Sequence, residues 1–227
     1  MKKYAIIVAA GSGTRMDTAI PKQFLPLGNS TILMQTINKF YTYDIDIEIL
    51  VVLNESQFAN WKQLCRQYKF EIPHKIIGGG ATRFNSVQNA LSLVENESLV
   101  AIHDGVRPFV SKATLDRCFN SAVLHSCIIP VIPIKDSIRK LNNGNSKAVE
   151  RNAYIAVQTP QVFWGNVIKK SYAQPYCDKF TDDASVAEAL GYPITLVDGN
   201  IENIKITTQF DLKIAEILII NPALTNK

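Results

Sequence analysis

Two long cations, Arg15 and Lys22, stand where an apolar run gives way to glycine. Tyr4-Ala-Ile-Ile-Val-Ala-Ala10 leads into Gly11-Ser-Gly-Thr-Arg-Met16, and Pro21-Lys22-Gln23 follows. An apolar run that breaks into glycine predicts a buried parallel strand ending in a loop. Glycine lets backbone N–H groups approach a polyphosphate, because no Cβ intervenes and positive φ is tolerated. Cations on such a loop would hold a triphosphate and neutralise charge developing on it. The pattern is not a dinucleotide fingerprint: Met16 stands where a third glycine is needed, and the acidic residue expected about 20 positions on is missing. No Gly-Lys-Ser/Thr string marks a P-loop either. The plain alternative is an ordinary strand-to-helix turn with incidental basic residues.

Three further groups carry possible chemistry. His103-Asp-Gly-Val-Arg-Pro108 closes an apolar run. A carboxylate at a strand end beside phosphates suits Mg²⁺, which takes one or two carboxylates plus phosphate oxygens, and Asp104 is that candidate. Arg107 either pairs with Asp104 or reaches a second phosphate. His103 reads as a strand-end residue with satisfied hydrogen bonds rather than a base. Gly78-Gly-Gly-Ala-Thr-Arg83 precedes a helix. Gly79 and Gly80 would let the backbone pass close to a flat ligand such as a base, with Arg83 and Ser86 facing the same region. Lys205, between Ile204 and Ile206, sits in a predicted apolar strand. It is either a solvent-facing lysine or a phosphate ligand near the strand end.

The elements that must position these residues alternate. Apolar β-branched runs predict strands at Tyr4–Ala9, Ile47–Leu53, Lys75–Ile77, Leu99–His103 and Cys127–Ile132. Helical periodicity fills Leu33–Phe40, Phe58–Tyr68, Phe84–Leu93 and Ala113–Leu124. This order predicts an α/β, Rossmann-like fold, a mostly parallel sheet with helices on both faces. Ligands of such sheets bind beyond the carboxyl ends of the strands, where each polar group above falls. The stretch from 133 to 157 differs, since Asn142-Asn-Gly-Asn145 between alternating residues signals a hairpin. It is read as a protruding arm that packs on another subunit, the alternative being a flap over the site. Beyond it, Thr181 or Asp182 would cap a helix over Ser185–Leu190, and a last helix spans Phe210–Ile220. One domain covers 1–227.

Composition narrows the function classes. The chain has 227 residues, 47% hydrophobic and 19% charged, which fits one globular domain. Apolar runs of strand length predict no membrane span. The N-terminus enters the first strand at once and meets Gly and Arg, so a cytoplasmic protein without a cleaved signal is expected. The net charge of +4 comes from dispersed residues, which argues against nucleic acid and suits a small anionic substrate. Cys65, Cys118, Cys127 and Cys177 lie far apart and read as reduced thiols.

Taken together, the strings resemble one family: the cytidylyltransferases that couple CTP to 2-C-methyl-D-erythritol 4-phosphate. The matching elements are Ala9-Ala-Gly-Ser-Gly-Thr-Arg-Met16, Pro21-Lys-Gln23, Gly79-Gly80 with Arg83 and Ser86, and His103-Asp104 with Arg107-Pro108. They continue through Asp136-Ser137, Arg151, Gln158-Thr-Pro-Gln161, Thr181-Asp182 and Asn203-Ile-Lys-Ile-Thr207. The resemblance implies a CTP loop over Ala9, Ala10, Gly11, Ser12, Gly13, Thr14 and Arg15 with Lys22, and cytidine contacts at Gly80 and Ser86 beside Arg83. It implies Asp104 as ligand of Mg²⁺, and a polyol phosphate pocket of Arg107, Ser137, Thr159, Thr181 and Lys205. Arg151 would reach that pocket from the arm across a homodimer.

Ser137 stands where the family usually has Thr, and Gly105-Val106 replaces the usual Ala-Ala. Val106 is reminiscent of ribitol 5-phosphate cytidylyltransferases, the alternative reading within the reaction class. A non-catalytic nucleotide-binding protein and a nicotinamide dehydrogenase are the readings outside it.

Overall fold

The computed structural model of the chain describes residues 1–11, 20–221 and 223. In chain order its first half runs β1 (Lys2–Val8), the short pair β2 (Pro26–Leu27) and β3 (Ser30–Thr31), α1 (Ile32–Tyr43), β4 (Glu48–Leu53), α2 (Phe58–Gln67), β5 (Lys75–Gly78), α3 (Arg83–Leu91) and β6 (Ser98–Asp104). The second half runs α4 (Lys112–Leu124), β7 (Cys127–Pro133), the hairpin β8 (Arg139–Asn142) and β9 (Asn145–Ala148), β10 (Ile155–Val157), β11 (Gln161–Trp164), α5 (Gly165–Ser171), α6 (Asp183–Glu188), β12 (Thr195–Asp198) and α7 (Gln209–Ile220).

Among the described residues, eight strands form the main sheet, in the order β10-β7-β11-β6-β1-β4-β5, with β12 beside β7. β1 is parallel to β4 and β6, β5 is parallel to β4, and β12 is parallel to β7. β10 and β11 run antiparallel to their neighbours. The expected α/β architecture is therefore the observed one.

Pleating divides the buried residues between two layers. Ala5 and Ile7 of β1 face a core built with Leu33, Ile37 and Phe40 of α1, Trp61 of α2 and Leu115 and Phe119 of α4. Tyr4 and Ile6 face the other side, against Phe84, Val87 and Leu91 of α3, Ile168 of α5 and Val186 of α6. A strand buried on both faces has to be apolar throughout, which is why Tyr4–Ala10 shows no alternation. Hydroxyl or carboxylate caps start α1, α3, α4, α6 and α7: Thr31, Thr82, Ser111, Asp182 and Thr208 each accept from a backbone N–H three residues on.

The arm contains the expected hairpin. Asn143 and Gly144 at its tip have φ of 43° and 84°, the left-handed pair that Asn-Gly supplies readily. Every residue of β8 and β9 is exposed.

One expectation is corrected. Asn203-Ile-Lys-Ile-Thr-Thr208 is not a strand. The Ile206 N–H donates to the Val106 carbonyl at 3.0 Å, but no ladder extends that bond. Ile206 instead packs with Leu25, Leu27, Ile32, Val106, Phe109 and Ala215 in a small third core under α7. The apolar alternation reports that packing rather than strand pairing.

Candidate active site

The parallel register brings the site together. Val8 pairs with Val52 and Asp104, and Leu53 with Gly78, so β1, β4, β5 and β6 end level. Hydrogen bonding continues one residue past each end, from Ala9 N–H to Val52 O, Gly79 N–H to Leu53 O and Gly105 N–H to Val8 O, all at 2.8–2.9 Å. The three segments are thereby pressed against one another. A Cβ at Gly79 would lie 2.6 Å from the Ala10 Cβ, and one at Gly105 would lie 2.8 Å from the Ala9 Cβ. A side chain at either position would force the Ala9-Ala10 step to shift.

Beyond these ends lies a cleft with two lobes. The first, about 460 Å³, is lined by Ala9, Ala10, Gly11, Lys22, Gly80, Arg83, Ser86, Asp104 and Lys205 among others. The second, about 310 Å³, is lined by Arg107, Gln158, Thr159, Thr181 and Asp182, with Arg83, Asp104 and Lys205 shared. Thus Lys22 and Lys205, far apart in sequence, face one space. Ser12, Gly13, Thr14 and Arg15 lie outside the described residues. Ser137 and Arg151, both exposed on the arm, are in neither lining; the Arg151 guanidinium donates to the Lys135 carbonyl at 2.6 Å.

Asp104 is the electrostatic centre. Its Oδ2 lies 2.9 Å from Lys205 Nζ and 3.4 Å from Arg107 Nε, and its Oδ1 lies 3.8 Å from Arg83 Nε. Burial works against its charge, but attraction from Arg83, Lys205 and Arg107 outweighs burial and holds the carboxyl well below the usual range. Arg107 pairs with Asp104 and also lines the second lobe. Its Nη1 also donates to the Asn203 carbonyl at 2.7 Å, which ties the Lys205 segment to the end of β6.

His103 is locked beneath this centre. The Asp104 N–H donates to Thr159 Oγ1 at 3.1 Å, and Thr159 Oγ1 lies 3.0 Å from His103 Nδ1. His103 Nε2 lies 2.9 Å from the Arg107 carbonyl, which can only accept. Nε2 therefore carries the hydrogen, and Nδ1 accepts from the Thr159 hydroxyl. Burial pushes the imidazole down to about 4. Neutral, buried and doubly bonded, His103 orients Thr159 and Arg107 and is no general base.

The glycine turn before α3 is held by Ser86, whose Oγ accepts from the Gly80 N–H at 3.0 Å and donates to the Thr82 carbonyl at 2.9 Å. Its hydrogen is thus committed to the loop. Arg83 makes a two-pronged pair with Asp183, at 2.8 and 2.7 Å. Burial disfavours the guanidinium charge, but Asp183 more than offsets it and raises the pKa.

Two residues in the site carried no assigned role in the sequence reading. Gln23 is buried and donates to the Ala9 carbonyl at 2.8 Å, so it pins the loop after β1. Asp183 is completely inaccessible. Gln23 had a signal, its place directly after Lys22. Asp183 had only its adjacency to the capping Asp182.

Among the described residues, no three His, Cys, Asp or Glu side chains gather to hold a metal, and no helix is long and apolar enough to cross a membrane. Known proteins supply the remaining comparison. The family model described as IspD, 2-C-methyl-D-erythritol 4-phosphate cytidylyltransferase, matches residues 4–221. A 2-C-methyl-D-erythritol 4-phosphate cytidylyltransferase of Phocaeicola vulgatus is 52% identical over 219 residues, spanning 96% of this chain and all of that protein. The crystal structure of 4-diphosphocytidyl-2C-methyl-D-erythritol synthase from Anaerococcus prevotii superimposes with a TM-score of 0.80 at 28% identity, covering 96% of this chain and 98% of that one. The 2-C-methyl-D-erythritol 4-phosphate cytidylyltransferase of Thermus thermophilus gives 0.73 at 30% identity, covering 94% and 97%. With the match running almost end to end, this chain belongs to the 2-C-methyl-D-erythritol 4-phosphate cytidylyltransferase family.

Proposed function

We propose that the chain transfers the CMP unit of CTP to 2-C-methyl-D-erythritol 4-phosphate in isoprenoid precursor synthesis. A phosphate oxygen of the polyol bonds to the α-phosphorus of CTP. The bond from that phosphorus to the bridging oxygen breaks, and pyrophosphate leaves with the electron pair. A phosphate monoester with a second pKa of about 6 is already mostly dianionic at neutral pH, so no base is needed. The barrier is the meeting of two anions, and positioned cations lower it. The observation that carries this reading is the convergence of Lys22, Arg83, Arg107 and Lys205 on two adjoining lobes.

The first lobe takes CTP, with Lys22 and, by resemblance, Arg15 on its phosphates and the Gly80 turn against the base. The second takes the polyol phosphate, aimed by Lys205 and Arg107, with Thr159 and Thr181 beside its hydroxyls. Asp104 fits Mg²⁺ that arrives with nucleotide, because one carboxylate plus phosphate oxygens is a usual set for that ion. Bound there, Mg²⁺ would neutralise phosphate charge. Arg151 completes the second lobe of a partner subunit when the arms pair in a homodimer; its position outside both linings supports that reading. We place the enzyme in the cytoplasm.

The test is pyrophosphate release from CTP with 2-C-methyl-D-erythritol 4-phosphate, against ribitol 5-phosphate in parallel. Equal or greater turnover of ribitol 5-phosphate would displace the proposed substrate. No release with either would remove the activity.

A further inference from the structure

We propose that Trp61 and His74 are positioning residues for the turn that carries Lys22, an inference resting on the reading of Lys22 as a cation on the transition state. Lys22 opens a single 3-10 turn, Lys22–Phe24. Gln23 ties one side of that turn to the loop after β1. Phe24 sets the other side by stacking on Trp61, with ring centroids 5.9 Å apart and planes inclined by 22°.

Trp61 is the buried residue of α2, fully inaccessible on a helix that otherwise meets solvent. A buried indole needs an acceptor for its N–H, and here the acceptor is His74 Nε2 at 2.9 Å. The indole only donates, so Nε2 carries no hydrogen. Nδ1 therefore carries it and donates to the Ile72 carbonyl at 2.8 Å. One neutral tautomer satisfies both bonds. Phe70 and His74 meet the indole edge-on, at 63° and 64°. The ring is thus held through its N–H and by two steeply inclined aromatic neighbours, and Phe24 stacks on it. An aliphatic side chain would pack without a preferred orientation; the indole–imidazole pair adds a defined ring angle, two residues from the ammonium of Lys22.

The test uses purified full-length protein, with turnover counted per CTP-binding site so that unfolded material does not contribute. His74→Phe deletes the acceptor and keeps an aromatic ring. Since misplacing a reacting group by 1 Å can cost about 10²-fold, we expect kcat to fall roughly 10- to 100-fold, with KM for both substrates within about twofold. His74→Gln, which restores an oxygen acceptor, should recover most of that loss. In a Lys22→Ala background His74→Phe should add nothing, because its effect runs through the missing side chain. If His74→Phe yields no folded protein, Trp61→Phe, which removes the N–H and keeps a stacking ring, carries the same expectations. Full kcat in the His74 variant while Lys22→Ala is crippled would overturn the proposal, as would an undiminished loss in the Lys22→Ala background. Normal turnover by Lys22→Ala alone would instead remove the reading on which it rests.

Discussion

Replacing Asp183 with asparagine removes the charge of a carboxylate that water does not reach, paired with an Arg83 side chain that is 32% exposed to the cleft. In the native site both carboxylate oxygens bind the Arg83 guanidinium, and Oδ1 also accepts from the Tyr172 hydroxyl at 2.6 Å. In the variant one oxygen becomes an NH₂ group, and Arg83, a pure donor, then faces another donor. Asp104 cannot take over, because its nearer oxygen is 3.8 Å from Arg83 Nε and the carboxylate already serves Lys205 and Arg107. Arg83 keeps some access to water, so losing this charged hydrogen-bond partner costs about 1.5–3 kcal/mol, less than for a pair wholly cut off from solvent. A domain of this size loses about 2–4 °C of melting temperature per kcal/mol, so Asp183→Asn should melt roughly 3–12 °C lower. Scanning calorimetry measures that directly. A paired Arg83→Met, Asp183→Leu variant should regain part of the stability, because no charge is left stranded although the buried Tyr172 hydroxyl loses its acceptor, while remaining impaired in turnover. If Asp183→Asn melts within about 2 °C of the parent, the reasoning fails.

Other outcomes follow from the same geometry. The folded-state pKa of His103 lies near 4, against 6.5 for the free side chain, so the unfolded chain binds more protons between those values. Stability should therefore fall as pH drops from about 6.5 to about 4, by roughly 3 kcal/mol, and urea titrations of His103→Asn should lack that slope. Gly79→Ala should weaken CTP binding measured by calorimetry, because the new methyl collides with Ala10; unchanged affinity would show that the loop gives way freely. Arg151→Ala should lose turnover through poorer handling of the polyol phosphate, and mixing it with a variant lacking Lys22 should restore activity at one site per dimer. Absence of that complementation would place Arg151 in its own subunit's site.

The sequence made the scaffold legible because its signals were local. Strands buried on both faces must be apolar throughout, so β1, β4, β5, β6 and β7 could be read with ends shifted by a residue or two, while the two-residue strands β2 and β3 gave no such signal. Asn143-Gly144 fixed the hairpin because few other residues accept its backbone. What stayed hidden depends on partners distant in the chain. Alternation around Lys205 suggested a strand, yet the same spacing serves a segment anchored by one hydrogen bond and buried under α7. Of the adjacent Asp182 and Asp183, the first was a cap candidate and does cap the helix, but nothing local says that the second is buried against Arg83. Thr159 took a pocket place from family resemblance alone. Its hydrogen bonds to Asp104 and His103 exist only because β6 and the segment before β11 lie side by side.

Arg83, Asp104 and Lys205 belong to both lobes, so neither compartment has a wall of its own where they join. A compound bridging that junction through a diphosphate would fill the two halves at once and engage the shared groups a single time. The reaction's own product has that form. It should hinder entry of either starting material, and a stable mimic of its diphosphate link should inhibit more tightly than a mimic of either half.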